Sequence, residues 1–192
     1  MLKIFRVLPV VLIIAISSTV YAKSEKFVLD PNHTNIIWHA NHLGFSNPDG
    51  KFAKSDGYII LDEKNPSISS VNVTIDTSSI ITGIEAFDKH LKGSDFFNIE
   101  KYKTATFVST KVDVYNQEYA KVYGDFTMLG VTKPVVLYAK LNKIGKHPFT
   151  KKKSVGFSAT TVIKRSEFGM NYGIGMVSDD IQIAIEVEAA VE

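Results

Sequence analysis

A chain of 192 residues is long enough to bury the core of one domain. Its 22 basic residues nearly balance 20 acidic ones, which leaves no strong field to attract nucleic acid or an anionic membrane. It has no cysteine, so disulfides, thiolate metal sites and a cysteine nucleophile are excluded.

The first 22 residues read as a segment apart from the fold. Lys3 and Arg6 precede an apolar run over 7–16, broken only by Pro9. Val20-Tyr21-Ala22 then places small residues where a signal peptidase inspects. The run is too short to span a bilayer. This layout predicts a secretory signal peptide over 1–22 and a periplasmic or secreted domain over 23–192, with no stable membrane insertion. With Lys3 and Arg6 removed, 20 basic residues face 20 acidic ones. No cysteine adjoins the cleavage point, which excludes a lipoprotein anchor.

From there the chain reads mainly as period-two alternation, punctuated by Gly, Asn, Asp, Ser and Pro. Residues 27–29 form a short lead-in, and less regular strands follow at 35–42 and 51–61. In 70–76, Val71, Val73 and Ile75 share one face. The next stretch breaks the pattern. Thr82 and Glu85 match a capping box, Ile84, Phe87 and Leu91 follow helical spacing, and Gly93 stands where a helix would stop. One amphipathic helix is predicted over 84–92, with Glu85 and Lys89, and Asp88 and Lys92, as favourable pairs four apart. Strands resume at 105–115, at 121–128 with Val122, Phe126 and Met128 inward, and at 134–142 with Val135, Leu137, Ala139 and Leu141. The last two cover 155–163, carrying Val155, Phe157, Ala159 and Ile163, and 181–187, carrying Ile181, Ile183, Ile185 and Val187.

About eight strands result. Eight antiparallel strands can close into a barrel without exposed edges, with room inside for side chains or one small ligand. A two-sheet sandwich fits the same alternation.

The residues that could carry chemistry do not converge. His39 and His42 are three apart, which points them to opposite faces of a strand. His33 is separated from them by turn-forming residues, and His90 flanks the helical stripe. No three-ligand metal site has supporting spacing, so each histidine reads as a packing residue. Nucleophile elbows, phosphate loops and dinucleotide fingerprints are absent. Asp88 and Asp95 straddle the helix end, where capping or pairing with Lys92 explains Asp88 better than a paired-carboxylate role. Arg165 is the only arginine beyond the signal segment. Its planar fork favours a fixed contact with Glu167 or Asp179 over one with a ligand head. Lys151, Lys152 and Lys153 read as a solvated loop. Residues 171–177 set Gly173 and Gly175 around Ile174 and Met176, either an apolar lid or an ordinary turn.

Five blocks carry a resemblance: DPNHTNIIWHANHLGFS (30–46), HLKGSDFFNIEKYKTATFVST (90–110), GDFTMLGVTKPV (124–135), GFSATTVIKRSEFG (156–169) and VSDDIQIAIEVEA (177–189). In this order and spacing they resemble the YceI-like family of exported, lipid-binding proteins, over nearly all of 27–191. Two departures stand out: Phe87 occupies the place of a usual arginine, and Thr34 that of a usual serine.

The resemblance implies an eight-stranded antiparallel lipocalin-like barrel with one short inserted helix. It also implies an interior that holds a long apolar molecule such as a polyisoprenoid, a quinone tail or a fatty amide, with no catalysis and no cofactor. Each buried methylene contributes roughly 0.8 kcal/mol, so about twenty chain carbons offer ~16 kcal/mol gross against an association cost of about 4–15 kcal/mol. The expected lining is Ile36, Trp38, Ala40 and His42 on the first long strand, with Val73, Ile75, Phe126, Met128 and Leu137. Phe157, Ala159, Ile183, Tyr172 and Met176 complete it, with His90 and Asp95 as head-group contacts beside His42 and Tyr172. A metal-assisted lipid enzyme using His33, His39 or His42, and a packed sandwich acting as a partner or stress module, are the alternatives. The oligomeric state stays open, a homodimer included.

Overall fold

The computed structural model describes residues 24–192; the expected signal peptide lies outside them. The strands are β1 (Glu25–Leu29), β2 (Asn35–His39), β3 (Asp49–Phe52), β4 (Ser55–Leu61), β5 (Ser70–Asp76) and β6 (Ile80–Ile81), followed by helix α1 (Glu85–Lys92). Then come β7 (Thr104–Val114), β8 (Tyr119–Met128), β9 (Val131–Lys146), β10 (Lys153–Lys164) and β11 (Asp180–Val191). The antiparallel order β1-β4-β5-β7-β8-β9-β10-β11 closes through β1 pairing with β11, an eight-stranded barrel. That closure excludes the sandwich.

The three remaining strands are upper halves of the first three, separated from them by kinks. Phe27 pairs with Val191 on one side and Ile59 on the other, so the expected lead-in is in fact the closing strand. Higher up, β2 takes over the edge of β11, from Glu186 opposite Asn35 to Gln182 opposite His39. Asp30 makes the break between β1 and β2. Its carboxylate accepts the Asn32 N–H at 2.9 Å and lies 2.8 Å from His33 Nδ1, an Asx turn. The breaks between β3 and β4 and between β5 and β6 are stitched together. Ala53 N–H donates to the Ser79 carbonyl (3.1 Å) and Asp76 N–H to the Lys54 carbonyl (3.0 Å).

Beyond its kink β6 pairs, among the described residues, only with β3. The segment from α1 to Lys103 fills the space on its other side, tied there by the Thr77 hydroxyl donating to the Tyr102 carbonyl at 2.7 Å. Strand β9 starts at Val131, ahead of Pro134, where the sequence placed its start. A proline is tolerated because β10 pairs β9 only as far as Tyr138, leaving residues 131–137 a free edge on that side. The 3₁₀ turn Arg165–Phe168 packs beside this edge.

Two cores follow. The lower end is plugged by Phe27, Leu29, Ile59, Val155 and Ala189, with Phe27 and Ala189 only 0% and 1% exposed. The upper core surrounds a cavity. Trp38 reaches into it by lying across Gly50, where a Cβ would come 2.6 Å from the indole, so this position requires glycine. Lys153 is not part of a solvated loop: it opens β10 and pairs with Glu25 and Glu63.

The first kink gives a pH signature. The hydrogen bond to Asp30 raises His33 above its ordinary 6.5, with the charges of Asp30 and Glu188 adding to it. The same bond, with the Asn32 amide, lowers Asp30 below 3.8. The histidine's contribution is fully present below 6.5 and lost as pH rises through the raised folded value. The aspartate's contribution is present above 3.8 and lost as pH falls through the lowered one. His33→Ala should therefore depress the melting temperature more at about pH 5.5 than at about pH 8.5. Equal depressions in parallel thermal melts would show that the pair contributes nothing.

Candidate functional site: an apolar cavity under two loops

The upper half of the barrel encloses a cavity of about 490 Å³, within the range of roughly 300–1,000 Å³ typical of small-molecule sites. Period-two alternation supplies its walls: Ile36 and Trp38 from β2, Ile75 from β5, Ala105 and Phe107 from β7, and Phe126 and Met128 from β8. Val135 and Leu137 from β9, Thr161 and Ile163 from β10, and Ile181 and Ile183 from β11 complete the ring. Helix α1 adds Phe87, His90 and Leu91, which helical spacing sets on one face. Ala40 and His42 extend the β2 side, and Met170, Tyr172, Met176 and Val177 roof it.

Most of the residues singled out in the sequence therefore meet at one place: Ile36, Trp38, Ala40, His42, Ile75, His90, Phe126, Met128, Leu137, Tyr172, Met176 and Ile183 all line the cavity. Val73, Phe157 and Ala159 do not. Val73 packs between the upper core and the lower plug, Phe157 packs against the plug, and Ala159 pairs with Ile185 and Ala139 outside the lining. Alternation assigns a face but not a depth. Asp95 stands behind the wall, its carboxylate 3.2 Å from His90 Nε2. Phe96 and Phe97 also line the cavity; they sit in an irregular segment with no period to read.

Aromatic edges close one corner. The His90 ring lies 5.0 Å from Phe96 and 5.2 Å from Tyr172, and those two are 5.4 Å apart, all edge-on. Phe87 meets Trp38 edge-on at 6.2 Å, so where the resemblance leads one to expect a guanidinium the wall carries an apolar ring. The Trp38 indole N–H is buried and finds no acceptor among the described residues.

The helix start differs from the predicted capping box. Ile84 is the N-cap, which makes Glu85 the first helical residue rather than the third. Asp88 replaces Glu85 as the partner of Thr82, accepting its N–H and its hydroxyl, each at 2.6 Å. The Thr82 hydroxyl is the main cause holding the Asp88 carboxyl below its ordinary value; Lys92 adds only a distant charge.

Arg165 is 2% exposed and is the one Lys, Arg, Asp or Glu in the cavity lining. Among the described residues no carboxylate pairs with it. Its Nε donates to the Ser178 carbonyl (2.9 Å) and one terminal nitrogen to those of Met170 (3.1 Å) and Tyr172 (2.7 Å). The other terminal nitrogen donates to the Val177 carbonyl (3.2 Å). Neither Glu167 nor Asp179, the two carboxylates expected for it, takes the guanidinium; Asp179 instead accepts the Ser166 amide and hydroxyl, each at 2.8 Å. Burial alone would raise the Asp179 carboxyl; those two bonds, with the charges of Lys164 and Arg165, outweigh it and lower it. Burial pulls Arg165 down, against the charge of Asp179. The guanidinium thus nails 169–178 over the cavity by its main chain, and Gly169, Gly173 and Gly175 supply the positive φ that this folded loop needs.

Among the described residues no three His, Cys, Asp or Glu side chains gather at metal-binding spacing. His33 sits in the Asp30 turn, His39 on the face of β2 opposite Trp38, and His42 at the cavity.

The closed barrel and its apolar interior define a lipocalin-like class of fold. The family model for the YceI-like domain matches residues 27–189, and the chain belongs to that family. A UPF0312 protein of Pectobacterium atrosepticum is 39% identical over 181 residues, 94% of this chain and 93% of its own length. The solved Campylobacter jejuni YCEI protein matches with a TM-score of 0.71 at 35% identity, covering 79% of this chain and 90% of that one. A polyisoprenoid binding domain from Saccharophagus degradans, implicated in plant cell wall breakdown, matches with a TM-score of 0.69. At 12% identity, over 86% of this chain and 98% of that one, this likeness is one of fold.

Replacing Arg165 by Met strands four carbonyls, that of Met170 in a buried bond and the other three in part-buried ones, and should cost about 3 kcal/mol in urea unfolding. Arg165→Lys should recover less than half, because an ammonium cannot reach four spread acceptors. Full recovery by lysine would show that charge, not the fork, holds the loop.

Proposed function

We propose that the chain binds one long apolar molecule in this cavity and performs no covalent chemistry on it. The observation that carries this reading is the wall itself. Strands, helix and loop line it with aliphatic and aromatic side chains, and its one fixed charge, Arg165, spends its hydrogen bonds on main-chain carbonyls. An anionic head finds no free cation there, and a hydrocarbon tail finds little to desolvate. The ligand class is a polyisoprenoid, a quinone tail or a fatty amide; the polyisoprenoid binding of the Saccharophagus degradans domain, named for that ligand, supports the first.

His42, Tyr172 and the His90–Asp95 pair would meet a polar head at the mouth. The unpartnered Trp38 N–H favours a chain with an oxygen acceptor, because the donor gains a bond it otherwise lacks. The site of action is the periplasm or the extracellular medium, in keeping with the N-terminal pattern of charge, apolar run and small residues.

Trp38 is the only tryptophan and lines the cavity, so its emission reports occupancy. Titration with geranylgeraniol should change that emission saturably, at one molecule per chain. Ala105→Phe, which projects a ring into the cavity, should weaken binding about tenfold or more. A linear, unsaturable response, or identical titrations of the two proteins, would overturn the internal site.

A further inference from the structure

Two loops form the outer layer of the cavity mouth: 40–48, between β2 and β3, and 169–178, between the Arg165 turn and β11. They are bonded to one another. Leu43 N–H donates to the Met176 carbonyl at 2.8 Å and Ser178 N–H to the Asn41 carbonyl at 2.9 Å, and His42 bridges to Val177.

This layer turns apolar side chains to the outside. Phe45 is 91% exposed, Met176 54%, Leu43 53%, Tyr172 48% and Ile174 46%. Met176 and Tyr172 belong to the cavity lining as well, so the exposed patch is continuous with the interior. The two loops hold 19 residues and none is Asp, Glu, Lys or Arg, although 22% of the chain is; at that frequency about four would be. Solubility does not call for such a surface, and Phe45 adds nothing to the core.

The backbone of these loops is equipped to leave water. Gly44 N–H donates to Asn41 Oδ1 (2.8 Å), and Phe45 N–H to the His42 carbonyl (2.9 Å). Met176 and Val177 N–H both reach the Gly173 carbonyl, at 3.0 and 2.8 Å. The tips can therefore enter an apolar medium without stranding these donors, which a surface meant to pair with another strand would leave free.

We propose that this rim docks on a phospholipid bilayer, with Phe45, Leu43, Ile174 and Met176 inserted at the head-group boundary. The cavity would then open directly into the acyl region, and an apolar molecule would pass between bilayer and barrel without crossing water. The contact is with neutral, zwitterionic lipid, because neither loop carries a cation to draw anionic heads. The inference rests on the cavity being a lipid site.

The test is flotation of the purified protein with phosphatidylcholine vesicles, set beside the double variant Leu43→Ser, Phe45→Ser, neither residue being part of the cavity wall. The variant should partition about tenfold less or lower still. It should take geranylgeraniol from loaded vesicles correspondingly more slowly, yet bind dispersed geranylgeraniol as the parent does by Trp38 emission. Parent flotation should persist at about 0.5 M salt. Equal flotation of both proteins, no flotation of the parent, or loss of flotation in salt overturns the docking and leaves the cavity standing. If Trp38 ignores even the dispersed probe, the cavity reading fails instead. Parent protein that self-associates through Phe45 without floating assigns the patch to a second copy and overturns the bilayer.

Discussion

The pairing of β11 with two different strands sets the space inside this molecule. Its lower half holds β1 and closes the barrel; its upper half holds β2, which follows the Asp30 turn. Side chains at the lower end, Phe27 and Val155 among them, pack into a plug. At the upper end a cavity of about 490 Å³ remains, where among the described residues β6 has no second strand partner and β9 parts from β10 beyond Tyr138. Large aromatics pack around the rim instead of across the centre. A filled end and a hollow end follow from the same eight strands.

Arg165 adapts that geometry to binding. A hollow end would ordinarily be roofed by a mobile loop, yet four carbonyls of the roof converge on one guanidinium. A buried cation is costly unless its donors are met, and here main-chain dipoles meet them without a neutralising carboxylate. The charge therefore holds the loop rather than a ligand, and the wall toward the ligand stays apolar. The same anchoring keeps Met176 and Tyr172 at the boundary between cavity and exterior.

Much of the barrel was legible in the sequence, because inward faces alternate cleanly in β8, β10 and β11 and the break to helical spacing at Ile84 is abrupt. The kinks were not. Asp30, Lys54 and Thr77 interrupt strands through side-chain and cross-strand bonds, those of Lys54 and Thr77 between residues 22 to 26 apart, which no local period records. The site was legible as a set of faces: Trp38, Phe126 and Ile183 point inward whatever the barrel's fill. Its depth was not, so Val73, Phe157 and Ala159 were counted with the lining though they are not part of the cavity wall. Nor did anything in the residue pattern show that Arg165 would bind carbonyls rather than Asp179, a choice made only when the 169–178 loop folds back over the turn.

The central claim is that hydrocarbon, not protein, fills the upper half of the barrel. Native mass spectrometry of the protein purified from its host without detergent tests this most directly. The account predicts a population heavier than the polypeptide by one hydrocarbon-rich molecule of several hundred daltons, released by organic solvent. A spectrum holding only the bare polypeptide mass, unchanged after incubation with an isoprenoid lipid extract, would contradict it.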